Sequence, residues 1–493
     1  MHEVELKLQV PAACRSAVDA EVAGRHAAQR QRLQAAYFDT ADRALARAGM
    51  ALRVRREGRR WMQTLKADAV DGMTRFEHNV GLPATTSTDT FADPQLHAGT
   101  PAGDRLLEVL RGAPSPALQC LYRTDIRRRS RRVRTAHGTL ELAFDEGEIV
   151  AGPRRLPVCE LEIELLAGSP QAVIAAARRW VLRHRLWLDT RSKAARGDLL
   201  ARGETMTPPC KAAAVELMRE MSLAEGRRAV LGSCLQQIVA NGSQVASGTF
   251  EDEHVHQLRI GLRRMRTALR VFPAEATPAA LPLEAAVLFR RLGAARDRAA
   301  VAAPLAVALS EALAAAGLGF EAPAMPAPDD AADPAELMRL GPAQALLLEL
   351  FAQTRQAAES AADDAPELRA ALAHRIGRWH HKVRADAKRF HELDDVGRHT
   401  LRKRAKTLRY AIEFAASLFK PRAVERYLKP LRKLQECLGE IVDVMVALDA
   451  YRNRSSEDPH ALFALGWLAG RKQELIARGD KPVRRFLKAE AFW

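Results

Sequence analysis

In the first third of this chain, charged and apolar residues alternate, and that alternation constrains the fold more than any other feature. Glu3-Val4-Glu5-Leu6-Lys7-Leu8, Leu52-Arg53-Val54-Arg55, Leu140-Glu141-Leu142-Ala143-Phe144-Asp145 and Cys159 to Leu165 all follow it. A period of two is that of a β-strand, whose successive side chains point to opposite faces. Strands of this kind build a sheet with one apolar face and one ionic face. A flat sheet would leave the ionic face in solvent. A closed barrel would collect it in a lumen, with charges of both signs held close together. Residues 170–188 then read as a helix.

After Thr207-Pro208-Pro209 the period changes to that of helices rich in alanine, leucine and arginine, so a domain boundary is expected near 205, with domains at 1–205 and 206–493. A Pro-, Ala- and Asp-rich stretch, Glu321 to Pro334, reads as a linker between two helical bundles, and Arg454 to Pro459 as a shorter loop. The length of 493 residues also favours more than one core. The expected class is therefore α+β multidomain.

Basic residues number 76 against 60 acidic, a net charge of +16, which suits a polyanionic partner. Cys14, Cys120, Cys159, Cys210, Cys234 and Cys437 form no C-x-x-C pair, as expected of free thiols in a reducing compartment. The first nine residues lack the organisation of a secretory signal, so a cytoplasmic location is expected. The most apolar stretch, Ala299 to Phe320, is interrupted by Pro304, Ser310 and Glu311 and reads as a packed helix rather than a membrane span.

The charged strand faces carry the chemistry. Glu3-x-Glu5-x-Lys7 sets two carboxylates and an ammonium on one face, about 7 Å apart at each step, and Glu160-x-Glu162-x-Glu164 sets three carboxylates. Like charges aligned this way need either a divalent cation or a basic neighbour. Oxygen-only ligands would favour Mg²⁺ or Mn²⁺. The basic counterpart is Arg53 and Arg55, Lys66, Arg75 near Glu77, Arg128 and Lys193, groups suited to a metal-bound phosphate chain. Arg129, Arg131, Arg132 and Arg134 read as surface residues, and Asn79 is given no metal role.

With these residues in hand, the chain resembles a known family. H-E-V-E-L-K at the start, Y-F-D-T at 37–40, L-R-V-R at 52–55, T-L-K at 64–66, C-E-L-E-I-E-L-L at 159–166 and S-K-A-A-R-G at 192–197 are similar to the CYTH domain of the triphosphate tunnel metalloenzymes. The resemblance covers about residues 1–203. It implies an eight-stranded antiparallel tunnel, with flanking helices, that hydrolyses or cyclises triphosphates with divalent metal. On that resemblance Lys7, Arg53, Arg55, Lys66, Arg75, Arg128 and Lys193 would hold phosphates. Glu3, Glu5, Glu160, Glu162 and Glu164, with Asp145, would hold metal or activate water. The base is left among the three strand glutamates, and Glu162, Glu164, Arg128 and Lys66 form the candidate catalytic set.

In the helical part, His256-x2-Arg259-x3-Arg263-x2-Arg266 recurs as His399-x2-Arg402-x3-Lys406-x2-Arg409. Steps of three, four and three keep each set on one helical face. No acid interrupts His256 to Phe272 or Arg398 to Tyr410, and retaining two such ridges suggests an anion between them. A looser copy is His381-x2-Arg384-x3-Lys388-x2-His391. V-H-Q-L-R-I-G-L-R-R-M-R, H-T-L-R-K-R-A-K-T-L-R-Y-A-I-E-F and L-Q-E-C-L-G-E-I-V-D resemble a CHAD domain over about 206–493, although Arg296-Asp297 continues as Arg298-Ala299 rather than with a second aspartate. That resemblance implies a pair of four-helix bundles whose basic surface binds inorganic polyphosphate.

The expected function is therefore a metal-dependent inorganic triphosphatase splitting tripolyphosphate into diphosphate and phosphate, with a helical domain that binds polyphosphate and could place the protein at polyphosphate granules. The alternatives are a non-catalytic granule-binding protein and a class IV adenylate cyclase-like enzyme. Nucleic acid is disfavoured as a partner, because 5% aromatic residues supply few stacking platforms.

Overall fold

A computed structural model describes residues 2–24, 28–68, 74–83, 86, 92–326, 332–355, 367–452 and 458–493, with only the backbone for His2, Glu3, Asp68, Thr74, Arg75 and 294–300. The strands are β1 (His2–Gln9), β2 (Gln29–Thr40), β3 (Met50–Glu57), β4 (Arg60–Asp68), β5 (Thr74–Leu82), β6 (Leu118–Thr135), β7 (Gly138–Ala151), β8 (Arg154–Gly168) and the two-residue β9 (Trp187–Leu188). All pairings are antiparallel, in the order β5-β4-β3-β2-β6-β7-β8-β1, and β1 returns to β5 through His2, Glu3 and Val4. Eight strands thus close into a ring. The ninth strand of the sheet is β9, attached to Leu8 and Gln9 of β1.

Helices α1 (Arg15–Ala23), α2 (Ala44–Arg47), α3 (Pro101–Gly112), α4 (Gln171–His184) and α5 (Lys193–Arg202) accompany the sheet. The helix expected over 170–188 stops at His184, because Arg185 takes a left-handed conformation (φ 53°) and releases the chain into β9. Outside the ring, Phe38, Leu52, Val54 and Leu65 pack with Leu45 of α2 and Leu106 and Leu110 of α3. Such burial contributes on the order of 2 kcal/mol for each large side chain. A second cluster, Leu33, Tyr37, Tyr122 and Ile126, receives Ala194, Leu200 and Ala201 of α5. Gly197 permits this approach, since a Cβ there would lie 2.3 Å from the Tyr122 ring.

The remaining helices are α6 (Leu223–Ala246), α7 (Asp252–Val271), α8 (Leu281–Arg291), α9 (Ala294–Ala315), α10 (Pro334–Arg339), α11 (Gly341–Arg355), α12 (Leu368–Lys388), α13 (Asp395–Ala415), α14 (Pro421–Arg452), α15 (Ala461–Arg478) and α16 (Asp480–Leu487). Two compact units result. One comprises Met1–Lys211, Leu235–Leu258 and Pro334–Gln356, and the other Ala212–Cys234, Arg259–Asp333 and Ala357–Trp493. In the second unit, α12, α13 and α14 pack in succession, with α15 and α16 on α14. Leu401, Leu408, Leu431, Leu434 and Leu438 are fully buried there, at the spacing the helical period requires. The apolar stretch that begins at Ala299 forms most of α9 and contains Pro304, and no described helix is long and apolar enough to cross a membrane. Part of the expected linker, 327–331, and most of the expected loop, 453–457, lie outside the described residues.

Candidate functional site

Strand register brings the ionic faces together inside the ring. Glu5 stands opposite Glu164 and Lys7 opposite Glu162, while Gln9 stands opposite Glu160. On the other side of β8, Glu141 and Asp145 oppose Glu164 and Glu160, and Arg128 opposes Asp145. Further round, Tyr37 meets Arg53, Arg53 meets Thr64, and Lys66 meets Glu77. Every one of these residues lies on its strand's inward face. Glu5, Lys7, Arg53, Arg55, Lys66, Arg128, Asp145, Glu162, Glu164 and Lys193 line a cavity of about 860 Å³. The side chains of Glu3 and Arg75 lie outside the described ones.

At the centre of the site, ion pairs link several carboxylates to shared cations. Lys193 Nζ lies 2.6 Å from Asp145 Oδ2 and 2.9 Å from Glu162 Oε1, and it also contacts Glu160. Arg128 forks onto Asp145 and reaches Glu162. Of the two ways to hold aligned carboxylates, this structure shows the basic neighbour. Burial opposes the charge on Glu160 and Glu162, but Arg196 and Lys193 at the first, and Lys193 and Arg128 at the second, hold both below the usual carboxylate range. Asp145, with Glu160 and Glu162, in turn raises Lys193 against its own burial. Oxygens of Asp145, Glu160 and Glu162 lie within 4.8 Å of one another, a hard, all-oxygen donor set of the kind Mg²⁺ or Mn²⁺ accepts.

The opposite wall is cationic. Lys66 Nζ pairs with Glu77 Oε2 at 2.6 Å, and Arg55 pairs with Glu57. The Arg53 Nη1 donates to the Tyr37 hydroxyl at 3.2 Å. Among the described residues, Arg53 Nε and Arg55 Nε are buried with no hydrogen-bond partner, a cost of about 1–3 kcal/mol for each such donor. Burial, with Arg53 beside it, pushes Arg55 down to about 10. Asn79 accepts from Thr64 and donates to Glu77, which leaves it a structural part in the wall.

Several members of this site are additions to the sequence-based set. Arg196 is buried against Glu160, and its signal is its place three residues after Lys193 on one face of α5. Glu57, Glu77 and Glu141 line the cavity as acidic partners. Tyr37 stacks on Tyr122 at 4.7 Å between ring centres, while Asp39 of the same Y-F-D-T run accepts the backbone N–H groups of Leu45 and Ala46 and holds α2. Arg129 differs from the surface reading, because α1 covers its strand and Asp19 Oδ2 pairs with it at 2.7 Å.

In the helical part the two stripes are half-buried rather than protruding. His256 on α7 is exposed. Arg259 and Arg263 both lie over the Phe289 ring, 4.6 and 4.7 Å from its centre. Arg266 and Arg409 each carry a buried Nε with no partner among the described residues, and Arg409 Nη1 donates to Glu413 at 2.9 Å. Arg402 is 3.9 Å from Asp443 of α14. Burial lowers His399, with Lys403, Arg402 and Lys406 adding to it. Lys406 is pushed down to about 7 by burial and then by Arg263, Arg402 and Arg409. The looser third copy is committed elsewhere, with Arg384 donating to the Leu487 carbonyl and His391 paired with Asp480.

A closed antiparallel tunnel with an ionic lumen, followed by helices bearing two cationic stripes, defines a two-domain protein of the tunnel class. The CYTH domain model matches residues 1–197 and the CHAD domain model matches residues 229–452. The chain carries a CYTH domain followed by a CHAD domain. It is 31% identical over 176 residues to an inorganic triphosphatase of Haemophilus influenzae, a match covering 35% of this chain and 46% of that protein, so that it spans about half the length of this relative. Among solved structures, it is similar to the CHAD domain from the plant Ricinus communis, with 26% identity, a TM-score of 0.45, and coverage of 58% of this chain and 98% of that one. A putative adenylyl cyclase from Hippeastrum with a dominant triphosphatase activity shares 19% identity at a TM-score of 0.32, covering 41% and 97%.

Proposed function

We propose that the tunnel hydrolyses tripolyphosphate to diphosphate and phosphate with Mg²⁺ or Mn²⁺, and that the helical stripes bind inorganic polyphosphate. The observation that carries the first part is the pair of guanidinium donors, Arg53 Nε and Arg55 Nε, buried with no partner among the described residues in the wall of a cavity that also holds Arg128, Lys193 and a carboxylate cluster. Such donors are suited to a ligand that supplies oxygen acceptors. Glu5, Glu162 and Glu164, with Asp145 and Glu160, are the groups fitted to hold a hard dication, which when bound polarises a phosphoryl oxygen and offsets charge.

Ion exchange within the lumen makes this chemistry accessible. A triphosphate draws Arg128, Lys193, Lys7 and Lys66 toward its oxygens, and the carboxylates those cations held become available as acceptors. Arg53 and Arg55 orient the chain along the wall. A glutamate of β8 accepts the proton of the attacking water as the phosphoanhydride bond breaks and phosphate departs. Lys193 and Arg128 are already in place for the charge that develops, so little reorganisation is required at that moment.

The test is phosphate release from tripolyphosphate, ATP and long-chain polyphosphate with Mg²⁺, Mn²⁺ or a chelator. Metal-dependent release from tripolyphosphate is expected. Its absence with every metal, or formation of cyclic AMP as the main product from ATP, would overturn the assignment.

A further inference from the structure

Glu160 is fully buried, and its two oxygens have different neighbours. Oε1 meets Lys193 in the carboxylate cluster, whereas Oε2 accepts from Arg196 and, at 3.2 Å, from Gln9 Nε2. The same Gln9 nitrogen donates to Asp189 Oδ2 at 3.3 Å. Ionised carboxylates only accept, so two of them on one amide require its NH₂ end and fix which way it points. Asp189, also buried, is set in turn by Arg191, whose Nε donates to Oδ1 and Nη2 to Oδ2, each at 2.9 Å. The Nη1 of that guanidinium donates to Gln244 Oε1 of α6 at 3.2 Å. Gln244 is buried and held by further bonds, accepting from the Thr207 backbone N–H at 3.1 Å and donating to the Thr249 carbonyl. Beside it, the Thr190 N–H donates to Ser243 Oγ at 3.0 Å. All of these residues belong to one compact unit, although most of α6 lies within the residues matched by the CHAD domain model.

We propose that Gln9, Asp189 and Arg191 are positioning residues for Glu160, and that Gln244 of α6 completes their support, so that the helical part of the chain helps set the metal affinity of the tunnel. The inference rests on reading the tunnel as a metal-dependent triphosphate site, and it adds four residues that do not line its cavity. A hard dication needs its carboxylate oxygens at fixed places, and groups that orient those ligands without touching the ion govern affinity through that geometry. Holding Oε2 fixes the rotation of the Glu160 carboxylate. Oε1 is then left on the side of Lys193, the cation that also meets Asp145 and Glu162. Without Asp189 as second acceptor the Gln9 amide is free to turn, and its oxygen toward Glu160 would repel the carboxylate.

The experiment is titration calorimetry of the full-length protein with imidotriphosphate, an unreactive analogue of tripolyphosphate, once with Mn²⁺ and once with a chelator. Mn²⁺ should tighten binding by the parent protein, and the ratio of the two dissociation constants reads the contribution of the metal. Gln9→Met, similar in shape but without the amide, should lower that ratio by about tenfold and Gln244→Met by about threefold, both with metal-free affinity unchanged. A parallel loss with and without Mn²⁺ would show a general structural role and overturn the positioning. A parental ratio in Gln9→Met would also overturn it while leaving the triphosphate reading intact, and a parental ratio in Gln244→Met alone would overturn the part given to α6. A parent protein that gains nothing from Mn²⁺, or that binds no imidotriphosphate, would overturn the metal-dependent reading and the inference together.

Discussion

Arg128 grips Asp145 with both arms of its guanidinium, Nε to Oδ1 at 2.7 Å and Nη2 to Oδ2 at 2.6 Å. Asp145 is 0% exposed, so this fork and Lys193 are what make its charge tolerable. Arg128→Ala should therefore lower the unfolding free energy by about 3 kcal/mol, because a buried carboxylate loses one of two cations. Urea denaturation would measure it, and an unchanged midpoint would mean that the pair does not form. Arg128→Lys should recover part of the stability but little of the turnover, since an ammonium cannot fork.

Glu5→Gln and Glu162→Gln each remove a carboxylate charge at nearly constant volume. Both variants should fold, as judged by circular dichroism, and lose most tripolyphosphate hydrolysis, by about 100-fold or more. Full phosphate release by both would sink the tunnel assignment.

Arg53→Ala and Arg55→Ala test the cationic wall. Each removes a buried donor with no partner among the described residues, so kcat/KM for tripolyphosphate should fall by about 2 kcal/mol in transition-state stabilisation, roughly thirtyfold. Wild-type values in both variants would show that neither guanidinium touches substrate.

The strands were legible because a charge at every second position cannot be a helix stripe. The same period places Glu160, Glu162 and Glu164 on the face that meets Glu5 and Lys7. Arg196 was not legible in its role, because only the docking of α5, through Gly197 against Tyr122, brings it to Glu160. β9 escaped for a different reason: two residues carry no period, and its existence depends on β1 being beside it. Of the basic stripes, the spacing could be read along each helix. The stacking of Arg259 and Arg263 on Phe289 could not, being a property of α7 against α8.

His97 gives the N-terminal sheet domain a distinct response to acid. It is fully buried, its Nε2 3.1 Å from Gln63 and its Nδ1 2.8 Å from His78, and burial with His78 beside it pushes it down to about 4. The unfolded chain takes up this proton near 6.5, so the stability that His97 contributes is complete above that pH and is lost as pH falls to about 4. Glu77, held low by Lys66 against its own burial, loses its contribution mainly below 4.5, at the lower edge of this window. Urea midpoints at pH 7.5, 5.5 and 4.5 should decline in the parent protein and decline less in His97→Gln. Parallel declines in the two would show that another group carries the titration.

Replacing Arg259, Arg263, Arg402 and Lys406 together with alanine removes four cationic side chains from the two stripes and none from the tunnel lumen. Long-chain polyphosphate binding should drop sharply, because the substitutions take two cations from each stripe, Arg259 and Arg263 over the Phe289 ring and Arg402 and Lys406 on α13. The dependence of log K on log salt should also become shallower, by the counterion-release logic that applies to any linear polyanion. Tripolyphosphate turnover should hold, since the lining residues are untouched. Duplex DNA as competitor separates charge density from base recognition: the half-buried arginines offer no aromatic platform to bases, and polyphosphate should displace DNA at equal phosphate concentration. Unchanged polyphosphate affinity in the fourfold variant, or tighter binding of DNA by the parent protein, would remove the stripes from the polyphosphate site.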